Sequence, residues 1–191
     1  MKTVDEIIEI LKTRISEKRL YHSKCVMNSC IELARIYGED EEKLALVGIA
    51  HDNAREMTDD ELVNYCNVNN IEIDEDEKTN PVLLHAKVGA NIAKVEFGFP
   101  ENMANAIKYH TVGNVPMDRI SEILFISDSI SEDRKYDGVD KLRELAKKDI
   151  DKTILEIIDS TIELIKSRNK TITENTLKLR KYYSDKINNK Q

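Results

Sequence analysis

Proline and glycine are scarce in this chain, with three and six in 191 residues. So few breakers leave long stretches free to stay helical. Cysteine is also rare. Cys25, Cys30 and Cys66 are an odd number with no CxxC pair, which excludes a disulfide framework and gives no zinc-thiolate signature. They read most simply as small apolar core residues. No run of about 18 apolar residues is present to span a bilayer. The first 15 residues mix Asp5, Glu6 and Glu9 with apolar positions, unlike a signal peptide, so the cytoplasm is the expected compartment. Basic charge is in deficit too. A net charge of −7 and a pI near 5.3 argue against nucleic acid as a partner. They leave room for a small polyphosphate, because a few arginines and a metal can reverse the sign locally.

What is present is a 40% apolar share, enough for one core. We expect a single all-α domain over residues 1–183, and a frayed Lys- and Asn-rich tail over 184–191. Apolar residues at three and four spacing predict about seven helices, at 4–16, 19–37, 41–53, 81–97, 101–109, 118–131 and 141–167. A shorter one is opened by Thr58 with Glu61 as a capping box, and a closing segment covers 173–187. Gly38 suits the end of the second helix. The acidic stretch 67–80 and the segment 110–116 read as loops. The apolar side of 141–167 is expected to bury itself internally or in a homodimer.

The chain has only four histidines. His22 shares a helix side with Val26, Leu33 and Ile36, and His51 follows Leu44, Val47 and Gly48 on an apolar stripe. His85 leads Val88 and Ile92, while His110 follows Met103, Ala106 and Ile107. Asp128 follows Ile120 and Leu124 in the same register. All five are expected to face inward. Any one such histidine is ordinarily a hydrogen-bonded core residue. Five together are harder to explain that way, because buried carboxylates at Asp52 and Asp128 need a cation beside them. Neutral imidazoles cannot supply one, whereas a divalent metal held by His and Asp can. Six N and O ligands exceed the needs of one tetrahedral zinc, so two ions sharing a carboxylate fit better, with His51-Asp52 as the natural bridge. Two-metal sites hydrolyse phosphoryl groups by in-line displacement.

The residues resemble the H…HD…D signature of the HD phosphohydrolase superfamily. The dipeptide alone is weak evidence, but the pattern extends through Arg19-Leu20-Tyr21-His22-Ser23, Ala50-His51-Asp52-Asn53-Ala54-Arg55 and Leu84-His85-Ala86-Lys87-Val88-Gly89-Ala90. It continues through Tyr109-His110-Thr111-Val112-Gly113, Ile126-Ser127-Asp128-Ser129-Ile130, Asp133-Arg134 and Gly138-Val139-Asp140-Lys141-Leu142-Arg143. As a set these are similar to the YqeK-type bacterial HD proteins, the symmetrical diadenosine tetraphosphate hydrolases, from near the N-terminus to about Tyr183.

The resemblance implies an all-α HD helical bundle, two metal ions that are iron, and cleavage of diadenosine tetraphosphate into two ADP, controlling alarmone dinucleotides in a bacterium. Manganese, cobalt, nickel or zinc are possible substitutes. By the resemblance His22, His51, Asp52 and Asp128 bind one metal, and Asp52, His85 and His110 the other. A hydroxide between the ions is the implied nucleophile. His51, Asp52 and Asp128 are thus the catalytic candidates, and His22, Arg55, Arg134 and Thr111 the substrate-side ones. Arg55 stands where relatives commonly have lysine, and Asn114 and Val115 follow Gly113 where relatives often have arginine. Thr111 is read either as a donor to phosphate or as a helix cap.

Other readings compete. A guanosine-tetraphosphate hydrolase of the superfamily has an acidic residue at the position of Arg55, which counts against that branch. A broad mononucleotide phosphatase, a di-iron oxygenase and a silent nucleotide sensor are the remaining alternatives.

Overall fold

The computed structural model describes residues 1–169 and 171–189, and these form eleven α-helices with no strand among them. They are α1 (Val4–Leu11), α2 (Glu17–Tyr37), α3 (Glu41–Ala50), α4 (Asp59–Val68), α5 (Glu75–Thr79), α6 (Leu84–Val95), α7 (Glu101–Tyr109), α8 (Arg119–Ile130), α9 (Val139–Ala146), α10 (Ile150–Ser167) and α11 (Glu174–Asn188). A 3-10 turn, Pro81–Leu83, leads into α6.

Local chemistry sets the starts of most of them. Thr3, Thr58 and Asp74 each form a full capping box, with Glu6, Glu61 and Glu77 returning a bond to the cap backbone. Ser16, Asp40, Asp118, Asp149 and Thr173 accept the N–H three residues on, each cap stabilising its helix by about 1 kcal/mol. At the far end of α2, Gly38 takes the left-handed conformation at φ 72°.

The centre of the fold is α3. Every residue from Leu44 to Ala50 is buried, so this helix is covered on all sides, with α1, α2, α7 and α8 packed around it. Gly48 lets α2 come this close, because a Cβ there would lie 2.7 Å from the Met27 Cα. Two residues beyond that crossing α3 ends, and the chain passes directly into the His51-Asp52 pair.

Several elements differ from the expectation. The first helix stops at Leu11 rather than near residue 16, because Ser16 turns outward to cap α2 and leaves a turn between. Residues 51–53 lie in turns beyond α3 rather than in it. The acidic stretch expected as loop holds α5, nucleated by the Asp74 and Glu77 box, and Glu77 is buried against Lys87. The single long helix expected at 141–167 is two, since Asp149 caps a new start at Ile150. The apolar side of α10 buries Ile150, Ile154, Ile157, Ile158 and Ile162 within the chain. Helix α11 continues past Tyr183 to Asn188, and the last two positions of the expected tail, 190 and 191, lie outside the described residues. All three cysteines are free and buried.

Candidate metal centre

Five segments deliver the six expected ligands to one place. His22 comes from α2, His51 and Asp52 from the end of α3, His85 from the first turn of α6, His110 from the end of α7 and Asp128 from the last turn of α8. The four histidines and Asp52 are each at most 5% exposed, and Asp128 is half-buried. Helices α3, α7 and α8 all present their C-terminal ends, whose partial negative charge favours cations.

Three of the imidazoles are oriented by the same device. The Nδ1–H of His51 donates to the Gly48 carbonyl at 2.8 Å, that of His110 to Ile107 at 2.6 Å and that of His85 to Val82 at 2.5 Å. For α3 and α7 these carbonyls belong to the last turn, where acceptors are in excess of helical N–H groups. Each bond uses the carbonyl three residues back and aims Nε2 at the cluster. His22 is oriented differently, with Nδ1 2.8 Å from the carboxylate of Asp133.

Asp52 lies between two groups of these rings. Its Oδ2 is 3.3 Å from His51 Nε2, 3.9 Å from His22 Nε2 and 2.8 Å from Arg19 Nη1, while Oδ1 is 3.6 Å from both His85 Nε2 and His110 Nε2. Asp128 Oδ1 is 3.0 Å from His22 Nε2 and 4.0 Å from His51 Nε2. Two overlapping sets, His22 with His51 and Asp128, and His51 with Asp52 and His110, hold their ligand atoms within 4.8 Å of one another.

The electrostatics differ across the cluster. Burial works against charge on His22 and His51, but the hydrogen bond that the His22 ring donates to Asp128 and the charge of Asp52 beside His51 win, and both pKa values rise. Burial would likewise raise both carboxyls. Instead His51 and His110 hold Asp52 well below the usual range, and His22, His51 and Arg134 do the same for Asp128. On the other side burial and His110 push His85 down to about 3, so this ring is neutral at pH 7.

This donor set fits divalent cations. The His51 Nε2 is fully buried without a hydrogen-bond partner, and the Nε2 atoms of His85 and His110 face each other at 3.3 Å. With its Nδ1–H donated to Val82 and burial keeping it neutral, His85 turns an Nε2 lone pair inward toward His110 and Asp52, and imidazole with carboxylate suits first-row divalent ions.

The substrate-side candidates divide. The Nε of Arg134 donates to the Asp128 carbonyl at 2.8 Å and its Nη2 to Asp128 Oδ1 at 2.5 Å, so it is part of the cluster's wall. Arg55 is half-buried and its charge adds to what keeps His85 neutral. Thr111 follows α7 and caps no helix. Its hydroxyl lies 3.2 Å from His110 Nε2 and 3.4 Å from His85 Nε2. Sequence reasoning overlooked Arg19 and Asp133, the partners of Asp52 and His22, although both fall inside the stretches quoted above. Their positions near His22 and Asp128 were the available signal.

Comparison with known proteins follows the same residues. The HD domain family model matches residues 19–133. Symmetrical bis(5'-nucleosyl)-tetraphosphatase of Bacillus subtilis is 31% identical over 90% of this chain and 92% of its own. The protein of that name from Staphylococcus aureus is 33% identical over 95% and 94%. Among solved structures, a "predicted HD superfamily hydrolase involved in NAD metabolism" from Clostridium acetobutylicum superposes with a TM-score of 0.94 at 33% identity, covering 97% of this chain and 99% of its own.

Proposed function

The chain belongs to the HD domain family, among the symmetrical bis(5'-nucleosyl)-tetraphosphatases, and on that premise we propose that it cleaves diadenosine tetraphosphate at its centre into two ADP. It is a hydrolase of phosphoric anhydrides. Carrying the proposal is the inward convergence of four imidazoles and two carboxylates, with the His51 Nε2 fully buried and without a hydrogen-bond partner. His22, His51 and Asp128 would hold one divalent cation, His85 and His110 the other, and Asp52 would bridge them. Bound there, the two ions would supply charge for a polyphosphate and lower the pKa of water enough to provide a nucleophile near neutral pH.

The chain's own residues do the positioning. The carbonyls of Gly48, Val82 and Ile107 fix three ring tautomers, and Asp133 fixes the fourth. Arg19 keeps Asp52 from swinging away. Arg134 beside Asp128 and Arg55 near His85 would bring positive charge toward the polyphosphate. Burial of the rings keeps bulk water from competing for their nitrogens. All six ligands come from one chain, so no second copy is needed to complete the centre. Iron as the resident metal and the cytoplasm as the compartment complete the proposal. No helix among the described residues is long and apolar enough to cross a membrane.

Chromatography of products from diadenosine tetraphosphate with purified, metal-loaded protein tests this. ADP as the only nucleotide product is expected. ATP with AMP, or equal or better turnover of mononucleotides, would overturn it.

A further inference from the structure

Two cavities abut the centre from opposite sides. One, of about 300 Å³, is lined by Asp76, Tyr109, Thr111, Asn114 and Asn175. Thr111 joins it to the His85 and His110 side of the cluster. The other, of about 590 Å³, is lined by Arg134, Tyr136, Ser160 and Leu164. Arg134 joins it to the Asp128 and His22 side. The two oxygens of Asp52 point to these two sides in turn.

Both volumes fall in the range of small-ligand sites. Both walls offer groups that a nucleoside can use. In the first, asparagine amides and a carboxylate match the amide-like edge of a base and the hydroxyls of a ribose, while Lys87 is held by Glu77 and Lys108 lies over the Tyr109 ring. In the second, Tyr136 is 43% exposed and Leu164 49% exposed, a flat apolar floor beside a guanidinium. The Tyr136 hydroxyl donates to the Ser129 carbonyl at 2.8 Å, which holds the ring in place for stacking.

We propose that the two cavities are separate nucleoside sites, one for each half of a dinucleoside polyphosphate whose central anhydride lies over Asp52. This rests on the function proposed above and adds to it. A ligand with a nucleoside at both ends and its reacting bond in the middle needs a receiving surface on each flank of the centre, and the fold supplies one on each. The flanks are unlike, one polar and one apolar, although the substrate is symmetrical. A mononucleoside polyphosphate therefore has two orientations open to it.

Filling each cavity separately tests the proposal. Asn114→Trp blocks the polar one and Ser160→Trp the apolar one. Both positions lie outside the cluster, and melting curves with the milder Asn114→Ala and Tyr136→Ala guard against misfolding. Equilibrium dialysis of ADP against metal-loaded protein should give about two ADP per chain for the original sequence and about one for either tryptophan variant. Each block should raise KM for diadenosine tetraphosphate about tenfold with kcat nearly unchanged. Adenosine tetraphosphate should be hardly affected by one block and strongly by both. One ADP per chain before any substitution, or an unchanged KM after either block, would overturn the proposal while symmetrical cleavage stands. Absence of symmetrical cleavage by the original protein would remove the function beneath it as well.

Discussion

The two halves of the cluster are built from the same residue types yet are prepared for a cation in opposite ways. Around His22, His51 and Asp128, rings with raised pKa values share protons with carboxylates, and Arg134 closes the group. Without a metal, this half holds itself together by ion pairing. Around His85 and His110 burial strips the proton from His85, whose Nε2 lies 3.3 Å from that of His110. On that side His85 already offers a free nitrogen. The difference teaches that ligand identity alone does not set metal affinity. One half must first release protons, whereas His85 in the other need not.

The largest expected effect falls on the residue both halves share. Asp52→Ala should remove both ions and lower hydrolysis by more than about a hundredfold, beyond what loss of an outer partner costs. His85→Ala should remove only one ion. Metal analysis of the two purified variants distinguishes them, and equal metal loss in both would break the comparison. Next is Asp133→Asn, which leaves His22 without a carboxylate on Nδ1. Metal affinity in that half should fall about tenfold to a hundredfold, with the other ion unaffected, as titration with a chromophoric divalent ion would report.

Acidity should also separate the halves. His22 and His51 have raised pKa values, so their protons compete with metal from somewhat above pH 6.5 downward, whereas His85 stays neutral until about pH 3. Between pH 7 and 5, affinity in the first half should fall about tenfold per pH unit for each proton displaced. His85 takes up no competing proton over that range, and metal retention on a desalting column at stepped pH measures both halves. The smallest effect is expected at Arg55. Arg55→Ala should raise KM for the dinucleotide only about threefold to tenfold with little change in kcat, as for a charge that binds ground and transition states alike.

Much of this centre was legible because burial and helical period are written in the same residues. His51 sits on an apolar stripe that folds into a helix buried on every side, and Asp128 follows Leu124 in the same way. All six side chains that converge here could be named from chemistry and resemblance before any distance was known. What could not be read was the orienting shell. A bond from His110 Nδ1 to the Ile107 carbonyl depends on where α7 ends, and periodicity does not mark the last turn of a helix. Asp133 meets His22 across 111 residues, a contact no local pattern encodes. The break between α9 and α10 was masked by apolar residues that keep helical spacing on both sides of Asp149, whose capping role outweighs the period. In the acidic stretch the charge run concealed a capping box, because Glu77 turns inward to Lys87 instead of facing water.

Two cations lying on either side of Asp52 are central to the proposed chemistry. Anomalous scattering from crystals of the metal-loaded protein locates them directly. Two peaks are predicted, one bounded by His22, His51 and Asp128 and one by His85 and His110, with Asp52 between. A single peak, or density away from these six side chains, would contradict it.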